Sequence, residues 1–415
     1  MPSRPTTVRY DIAIVGGSHA GLALALALAH LGGPELHIAV IERTDLRNRE
    51  TVNDPRAFAI SAGSRNLLAA IGVWPALAHS AEPVRTIEIT DSALSHAVRP
   101  VLLTYDNHVA GQTPATSIVG AEALRRALLT HVLGTRSIDI IAPADVRGFE
   151  PGSSGVILDL GSGGRVNTTL LVAADGAKSP TRVAAGIKTL DWTTAQVGIV
   201  TTVAHERPHD GHAVQHFLPA GPFAMLPLPG NRMCVTWTED AARGRAIAAL
   251  DDTAFQRDVE QRFGFKLGNI RVDGPRALWP LEFHLARTLI APGIALVGDA
   301  VRSVHPLAGQ GLNLGFRDVA ALAEIVVDGM RLGLSPADGT LLSRYEQWRR
   351  ADSISAAAAF GALNALFSND STLLRAARGA GLGLLDRLPA LKAMLVNEAA
   401  GLSGQIPRLM QPAAS

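Results

Sequence analysis

The chain has 415 residues, 47% of them hydrophobic and 18% charged, which fits two or three globular domains with a large core. A net charge of +1, with no basic run interleaved with aromatics, argues against a nucleic-acid partner. Cys234 is the single cysteine, which excludes an intramolecular disulfide, a CxxC pair and a thiolate cluster and fits a reducing, cytoplasmic compartment.

Met1 to Tyr10 carries two arginines and no apolar run of the kind a secretory signal needs. Asp11-Ile-Ala-Ile-Val15 reads as a buried strand, followed by Gly16-Gly17-Ser18-His19-Ala20-Gly21 and a helical stretch from Leu22 to Leu31. That stretch is about half the roughly 20 residues of a membrane span, and His30 interrupts it. A second apolar run, Ile38 to Ile41, ends at Glu42, followed by Arg43. Strand, glycine-rich turn, helix, strand and acidic residue form a Rossmann-type dinucleotide unit. Gly16, Gly17, Ser18, Ala20 and Gly21 would face a pyrophosphate at the helix N-terminus, and Glu42 a ribose. One departure matters: Ser18 stands where G-x-G-x-x-G has its middle glycine, so the backbone loses some freedom there. His19 reads as a solvent-side loop residue with no catalytic role.

A third strand, Leu170-Leu-Val-Ala-Ala174, runs into Asp175-Gly176-Ala-Lys-Ser179-Pro-Thr-Arg182, again strand, turn and helix start. From Ile187 to Asp273 the pattern changes to extended runs such as Val197 to Val203, Ala224 to Leu228 and Met233 to Trp237. Pro/Gly clusters punctuate them, as in an antiparallel sheet. Phe217, Phe223, Met225, Leu226 and Trp237 are candidates for a lipophilic pocket, with core packing the competing role for at least half of them. His205-Glu-Arg-Pro-His209 matches HExxH in letters only. That zinc site needs a helix, and Pro208 disfavours one, so no metal is expected.

Ala295 to Asp318 carries the most information. A short apolar run ends in Gly298-Asp299, a loop holds His305-Pro306, and Gly309-Gln310-Gly311-Leu312-Asn313 opens a helix. A strand-borne carboxylate beside a glycine-rich helix start suits a polyol and an electron-rich ligand edge. A plain strand-loop-helix corner is the competing reading. From Leu341 onward the chain is Ala/Leu-rich and helical, with runs from Ile354 to Phe367 and Leu373 to Leu395.

With its dinucleotide loop, DG motif and GD motif, the sequence resembles the class A flavoprotein monooxygenases of the para-hydroxybenzoate hydroxylase-like fold. Within that class it is similar to the UbiH/UbiF/UbiL group of ubiquinone-biosynthesis hydroxylases. The segments that carry this are Asp54-Pro-Arg56 to Ser61, Gln215 to Leu228, the region around Trp237, Leu307 to Gly315, and Leu366 to Asp386. Two further departures are Ala300-Val301-Arg302, where relatives continue Ala-Ala-His, and Gly120-Ala121-Glu122, where relatives often carry a polar or basic flavin contact.

The resemblance implies an α/β fold: a discontinuous Rossmann-like FAD-binding domain (1–80, 105–185, 275–335), an antiparallel substrate-binding sheet domain (81–104, 186–274) and a C-terminal helical region (336–415). It implies FAD as cofactor, NAD(P)H and O2 as co-substrates, and a polyprenyl phenol hydroxylated on its ring. Asp299 would bind the ribityl hydroxyls, with capping of its own turn as the competing role. Leu312 and Asn313 would offer backbone N–H groups to the flavin O2 edge, and Pro306 would lie against the isoalloxazine. Arg56 would bind the diphosphate or ring edge; Arg43, Asp175, Gly176, Gly309 and Gly311 complete the cofactor set. His305 is a candidate base for phenol deprotonation, with a structural role competing. No second dinucleotide loop exists, so NAD(P)H should bind transiently on the DG-bearing surface. The Ala/Leu-rich tail reads as a helical cap, or as a membrane or partner surface. Competing functions are a hydroxylase of small phenols, a flavin-dependent isoprenoid reductase and a non-catalytic flavin scaffold.

Overall fold

The computed structural model describes residues 8–47, 54–91, 101–109, 113–152, 155–161, 163–218, 220–303, 310–367, 394 and 396–412. His305, Pro306, Gly309 and most of the expected helix from Leu373 to Leu395 lie outside these residues.

Four strands lie side by side in parallel, in the order Ile138–Ile141, Ile38–Ile41, Val8–Val15, Arg165–Ala173, and Ile294–Leu296 adds to the far edge. Near-continuous Val, Ile, Leu and Ala fill these strands because both faces of the sheet are covered. Strand order reverses between Val8–Val15 and Arg165–Ala173, which opens a crevice at their carboxyl ends. The register sets its level: Val15 pairs with Ile41 and with Ala173, and Ala173 pairs with Leu296. The residues that follow each strand therefore emerge together.

The helix His19–Gly32 is buried from Gly21 to Leu28. Its AlaLeu repeat is apolar on every side, as a helix enclosed in a core must be. It shares one core with Gln310–Arg331, through Leu22, Leu26, Phe316, Val319 and Ala323. The close approach needs glycine: a Cβ on Gly21 would stand 1.9 Å from the Gly16 carbonyl oxygen.

A nine-stranded, mostly antiparallel sheet forms the other half. Its central strands are Ala277–Ala286, Thr189–His205, Arg232–Asp240, Gly221–Leu228 and His212–Leu218, and Thr86–Asp91 and Val101–Asp106 extend it. Ala277–Ala286, grouped with the cofactor-binding segments on sequence grounds, pairs with Thr189–His205 and is part of this sheet instead. Period-2 alternation divides the two faces. Phe223, Met225, Val235 and Trp237 pack against Phe255, Val259 and Phe263 of the helix Asp252–Phe263. Ala224, Leu226, Thr236 and Val200 face the opposite way, onto a cavity. Of the five expected pocket residues, Leu226 lines the cavity. Phe223, Met225 and Trp237 are core on the helical face, and Phe217 is buried away from the lining.

The C-terminal region begins with one continuous helix, Gly339–Phe367. Residues 396–412 then return across the cofactor half: Ala400 accepts a hydrogen bond from Gly63 N (2.9 Å), and Arg317 donates to Ser403 O and Gln405 O (2.8 and 3.1 Å). Among the described residues no helix is long and apolar enough to cross a membrane.

Gly21→Ala is expected to force the helix His19–Gly32 off Gly16 at a cost of about 1–3 kcal/mol, the usual range for overpacking. A lowered urea midpoint with an unchanged slope is the expected readout; an unchanged midpoint would show that the helix shifts freely.

Candidate active site

The loops that follow the aligned strands line one cavity of about 650 Å³, within the roughly 300–1,000 Å³ typical of ligand pockets. Gly16, Ser18, Ala20, Glu42 and Arg43 come from the first unit, Asp175 and Gly176 from the second, and Gly298, Asp299, Gly311 and Leu312 from the third. The cavity continues under the antiparallel sheet to Ile87, Tyr105, Val200, Leu226 and Trp279. Gly16 has φ +112°, and a Cβ there would stand 2.3 Å from Ala174 O, so the turn tolerates glycine alone. Two helix N-termini, at Ser18–His19 and at Gly311–Leu312, reach the wall with first-turn N–H groups that have no intrahelical partner.

Glu42 uses both carboxylate oxygens within the protein: Oε2 accepts from Gly17 N of the dinucleotide loop (2.8 Å), and Oε1 accepts from Thr44 N and Oγ1 of its own loop (3.1 and 2.9 Å). Asp175 accepts from the Ser179 hydroxyl and from Thr181 N (3.0 Å), which fixes the DG turn. Arg182, the last residue of that motif, donates to Ala177 O and to Ala300 O (2.9 Å each) and so ties the DG turn to the GD turn. His284 Nε2 donates to Asp299 O (2.9 Å), and burial, helped by the Arg182 charge, lowers its pKa.

Asp299 is open to the cavity yet surrounded by protein. Burial pushes its carboxyl above the usual range, against the pull of Arg302 and Arg56. Among the described residues none donates a hydrogen bond to this carboxylate. Among the described residues it caps no turn amide. Instead Gly298 N donates to Asp318 Oδ2 (3.1 Å). Asp318 also accepts both Arg302 Nη groups (2.9 and 2.8 Å) and Arg349 Nε (2.8 Å), and all three side chains are buried. The charges of the two arginines outweigh burial and hold the Asp318 carboxyl below the usual range. The departure at Arg302 thus belongs to an Arg–Asp–Arg cluster beneath the GD turn and does not reach into the cavity.

Arg56 lines the cavity, held by Asp54 through Nε and Nη2 (2.9 and 2.7 Å), with its guanidinium 5.0 Å from the Trp279 ring centroid and 5.8 Å from that of Phe58. Burial raises the Asp54 pKa, and the Arg56 hydrogen bonds and charge more than reverse this. Asn313 is buried and uses its side chain structurally: Nδ2 donates to Ala59 O (2.8 Å) and Oδ1 accepts from Ser61 N (3.0 Å). Ser18 is exposed, its hydroxyl 3.4 Å from His19 Nδ1, and makes no side-chain cap.

His19 corrects the sequence expectation. It is the first residue of the helix and is buried, 9% exposed, with Nε2 donating to Ala121 O (3.1 Å) and its ring edge-on to Phe58. Burial, reinforced by the Arg56 charge, lowers its pKa to about 4 in spite of the Ala121 hydrogen bond. The HExxH letters span a strand end and turn, with the two rings hydrogen-bonded to Arg207 O and Leu228 O (2.7 and 2.8 Å). Sequence reasoning passed over Trp279, His284, Asp318 and Arg349. Only Asp318 left a trace, as an acidic residue about two turns into the helix Gln310–Arg331 with a basic residue, Arg302, on the opposite side of the loop.

Residues 9–358 match the family described as FAD binding domain. The chain is 40% identical to the ubiquinone hydroxylase UbiL of Rhodospirillum rubrum, over 97% of this chain and 92% of that protein. It is 33% identical to the 3-demethoxyubiquinol 3-hydroxylase of Escherichia coli, over 97% of this chain and all of that one. The chain belongs to the FAD-dependent ubiquinone hydroxylases, within the class A flavoprotein monooxygenases. Its fold is similar to that of p-nitrophenol 4-monooxygenase PnpA from Pseudomonas putida DLL-E4, with TM-score 0.76 at 19% identity over 94% and 98% of the two chains.

The residues present fit FAD. The Asp299 carboxylate, which accepts no hydrogen bond among the described residues, suits a ligand rich in hydroxyls, and two helix N-termini suit a diphosphate and an electron-rich ring edge.

Because His19 is neutral in the fold, its stabilisation is complete above its unfolded pKa of 6.5 and is lost as pH falls from there toward 4. Relative to His19→Gln, the parent should lose about 3 kcal/mol of unfolding free energy across that window. Denaturant melts of both proteins at successive pH values provide the check, and parallel pH dependences would mean that the ring is hydrated.

Proposed function

We propose that this protein uses FAD, NAD(P)H and O2 to hydroxylate the aromatic ring of a polyprenyl phenol on the route to ubiquinone. One observation carries the substrate half of this reading: the cavity is continuous from the dinucleotide loops to the antiparallel sheet, and the lining residues of that sheet are uncharged. Ile87, Val200, Ala213, Leu226 and Leu281 offer apolar burial, worth about 0.8 kcal/mol per methylene, and no cation of the sheet awaits a substrate carboxylate. The relatives named as ubiquinone hydroxylases support the same substrate class.

When bound, FAD supplies the oxygen chemistry that amino-acid side chains cannot. The residues of the chain bind, orient and exclude water. Asp299 accepts from the ribityl hydroxyls, and Glu42, already fixed by Gly17 and Thr44, accepts from the adenosine ribose. The first-turn N–H groups near Gly311, Leu312 and Asn313 meet the ring edge, where the helix dipole favours negative charge. Arg56, immobilised by Asp54 and stacked on Trp279, presents a cation to the cofactor between the diphosphate and the ring. Gly16, Gly17, Ser18, Ala20 and Gly21 cradle the diphosphate, with Arg43, Asp175, Gly176 and Gly309 at its margins. Pro306 and His305 keep the roles the resemblance gives them, against the ring and as proton acceptor. In this reading the cofactor lies on the parallel sheet and the substrate under the antiparallel one. A polyprenyl substrate is delivered from a bilayer, so peripheral membrane contact is part of the same reading.

Incubation of holoenzyme with NAD(P)H, a polyprenyl phenol and isotopically labelled O2 should place one labelled atom on the product ring. Consumption of NAD(P)H with reduction of an isoprenoid double bond and no label, or faster turnover of small hydroxybenzoates, would contradict the reading.

A further inference from the structure

We infer that the C-terminal strap, residues 396–412, forms the rim of the cavity through which the substrate tail leaves, and that Ala399 sets the clearance there. This rests on the polyprenyl reading above. The cavity has two chemically distinct ends. One holds Glu42, Arg43 and Asp145 and suits the adenosine; the other holds Val84, Ile87, Tyr105 and Val214 and suits a hydrocarbon chain. Ala399 belongs to the lining although the matched FAD family ends at residue 358. The strap is therefore an addition to the shared cofactor-binding unit that nevertheless contributes to the cavity wall.

Its position is firmly set. Val396 and Ala400 pack with Ala62 and Ala115 in a small core against which Tyr105, Val109 and Leu402 lie, which brings the strap to the apolar end. Gly63 N donates to Ala400 O, and Asn66 Nδ2 donates to Met410 O (3.0 Å). Trp348 Nε1 donates to Gln405 O (3.2 Å), and Arg408 pairs with Asp328 (2.7 Å). Ala399 itself is exposed, between buried Ala400 and exposed Glu398, and belongs to the cavity lining. A larger side chain there narrows the rim of the cavity while Val396 and Ala400 stay packed in their core.

The test compares holoenzyme of the parent, Ala399→Trp and Ala399→Ser on a tailless phenol and on phenols bearing one, three and eight isoprene units. Ala399→Trp should raise KM for the long-tailed phenols on the order of ten-fold, what about two lost buried methylenes are worth. The tailless phenol should keep its kcat/KM, and Ala399→Ser should match the parent throughout. Equal losses on all substrates, or none on the longest, would overturn the inference. Equilibrium binding of the three-unit phenol in detergent repeats the comparison without turnover. If the parent hydroxylates no phenol yet Ala399→Trp still loses affinity for the tail, the hydroxylase reading fails and the exit stands. Unchanged affinity overturns the exit.

Discussion

The register of the parallel sheet is the constraint on which the rest depends. Val15, Ile41, Ala173 and Leu296 lie at one level, fixed by backbone hydrogen bonds such as Ala174 N to Val15 O (2.8 Å) and Val297 N to Ala173 O (3.0 Å). Three loops separated by well over a hundred residues each thus meet at one crevice. A slip of one residue would send every strand side chain to the opposite face and break its fitted packing against the covering layers. The site is built by the sheet, and the loops need only carry the right atoms.

A second tie holds the GD turn from below. Asp318 receives Gly298 N, Arg302 and Arg349, so one buried carboxylate joins the turn, the loop after it and the long helix Gly339–Phe367. Tyr345, one turn before Arg349, adds a bond to Leu296 O (2.7 Å). Such a cluster adds little net stability over a hydrophobic replacement, yet removing one member strands a buried charge at a cost of about 3–5 kcal/mol. Its contribution here is geometric. With the turn amide held by Asp318, the Asp299 carboxylate takes no hydrogen bond from the described residues.

Much of this was legible in the sequence because each motif is local. Gly16 to Gly21 with Glu42, Asp175 to Arg182, and Gly298-Asp299 each announce a strand, a turn and a helix start, and the parallel sheet unites them. What was not legible depends on side chains meeting across the fold. His19 looks like a loop residue until Phe58 and Ala121, distant in sequence, enclose it. The two faces of the antiparallel sheet cannot be assigned from alternation alone; the helix Asp252–Phe263 decides that Phe223 and Trp237 are core while Leu226 faces the cavity. Arg302 reads as an anomaly until Asp318 and Arg349 are seen around it. Ala399 carries no signal at all, since an alanine in an Ala-rich tail is distinguished only by where the tail returns.

On this reading the aligned loops form the FAD site around Asp299, whose carboxylate takes no hydrogen bond from the described residues. Titration of apo Asp299→Ala with FAD tests it most directly. The carboxylate has the cavity and not the core as its neighbour, so circular dichroism and unfolding should stay close to the parent. Flavin affinity should fall about 10- to 150-fold, the value of one charge-assisted hydrogen bond. Parent-like FAD affinity in that variant would contradict the claim.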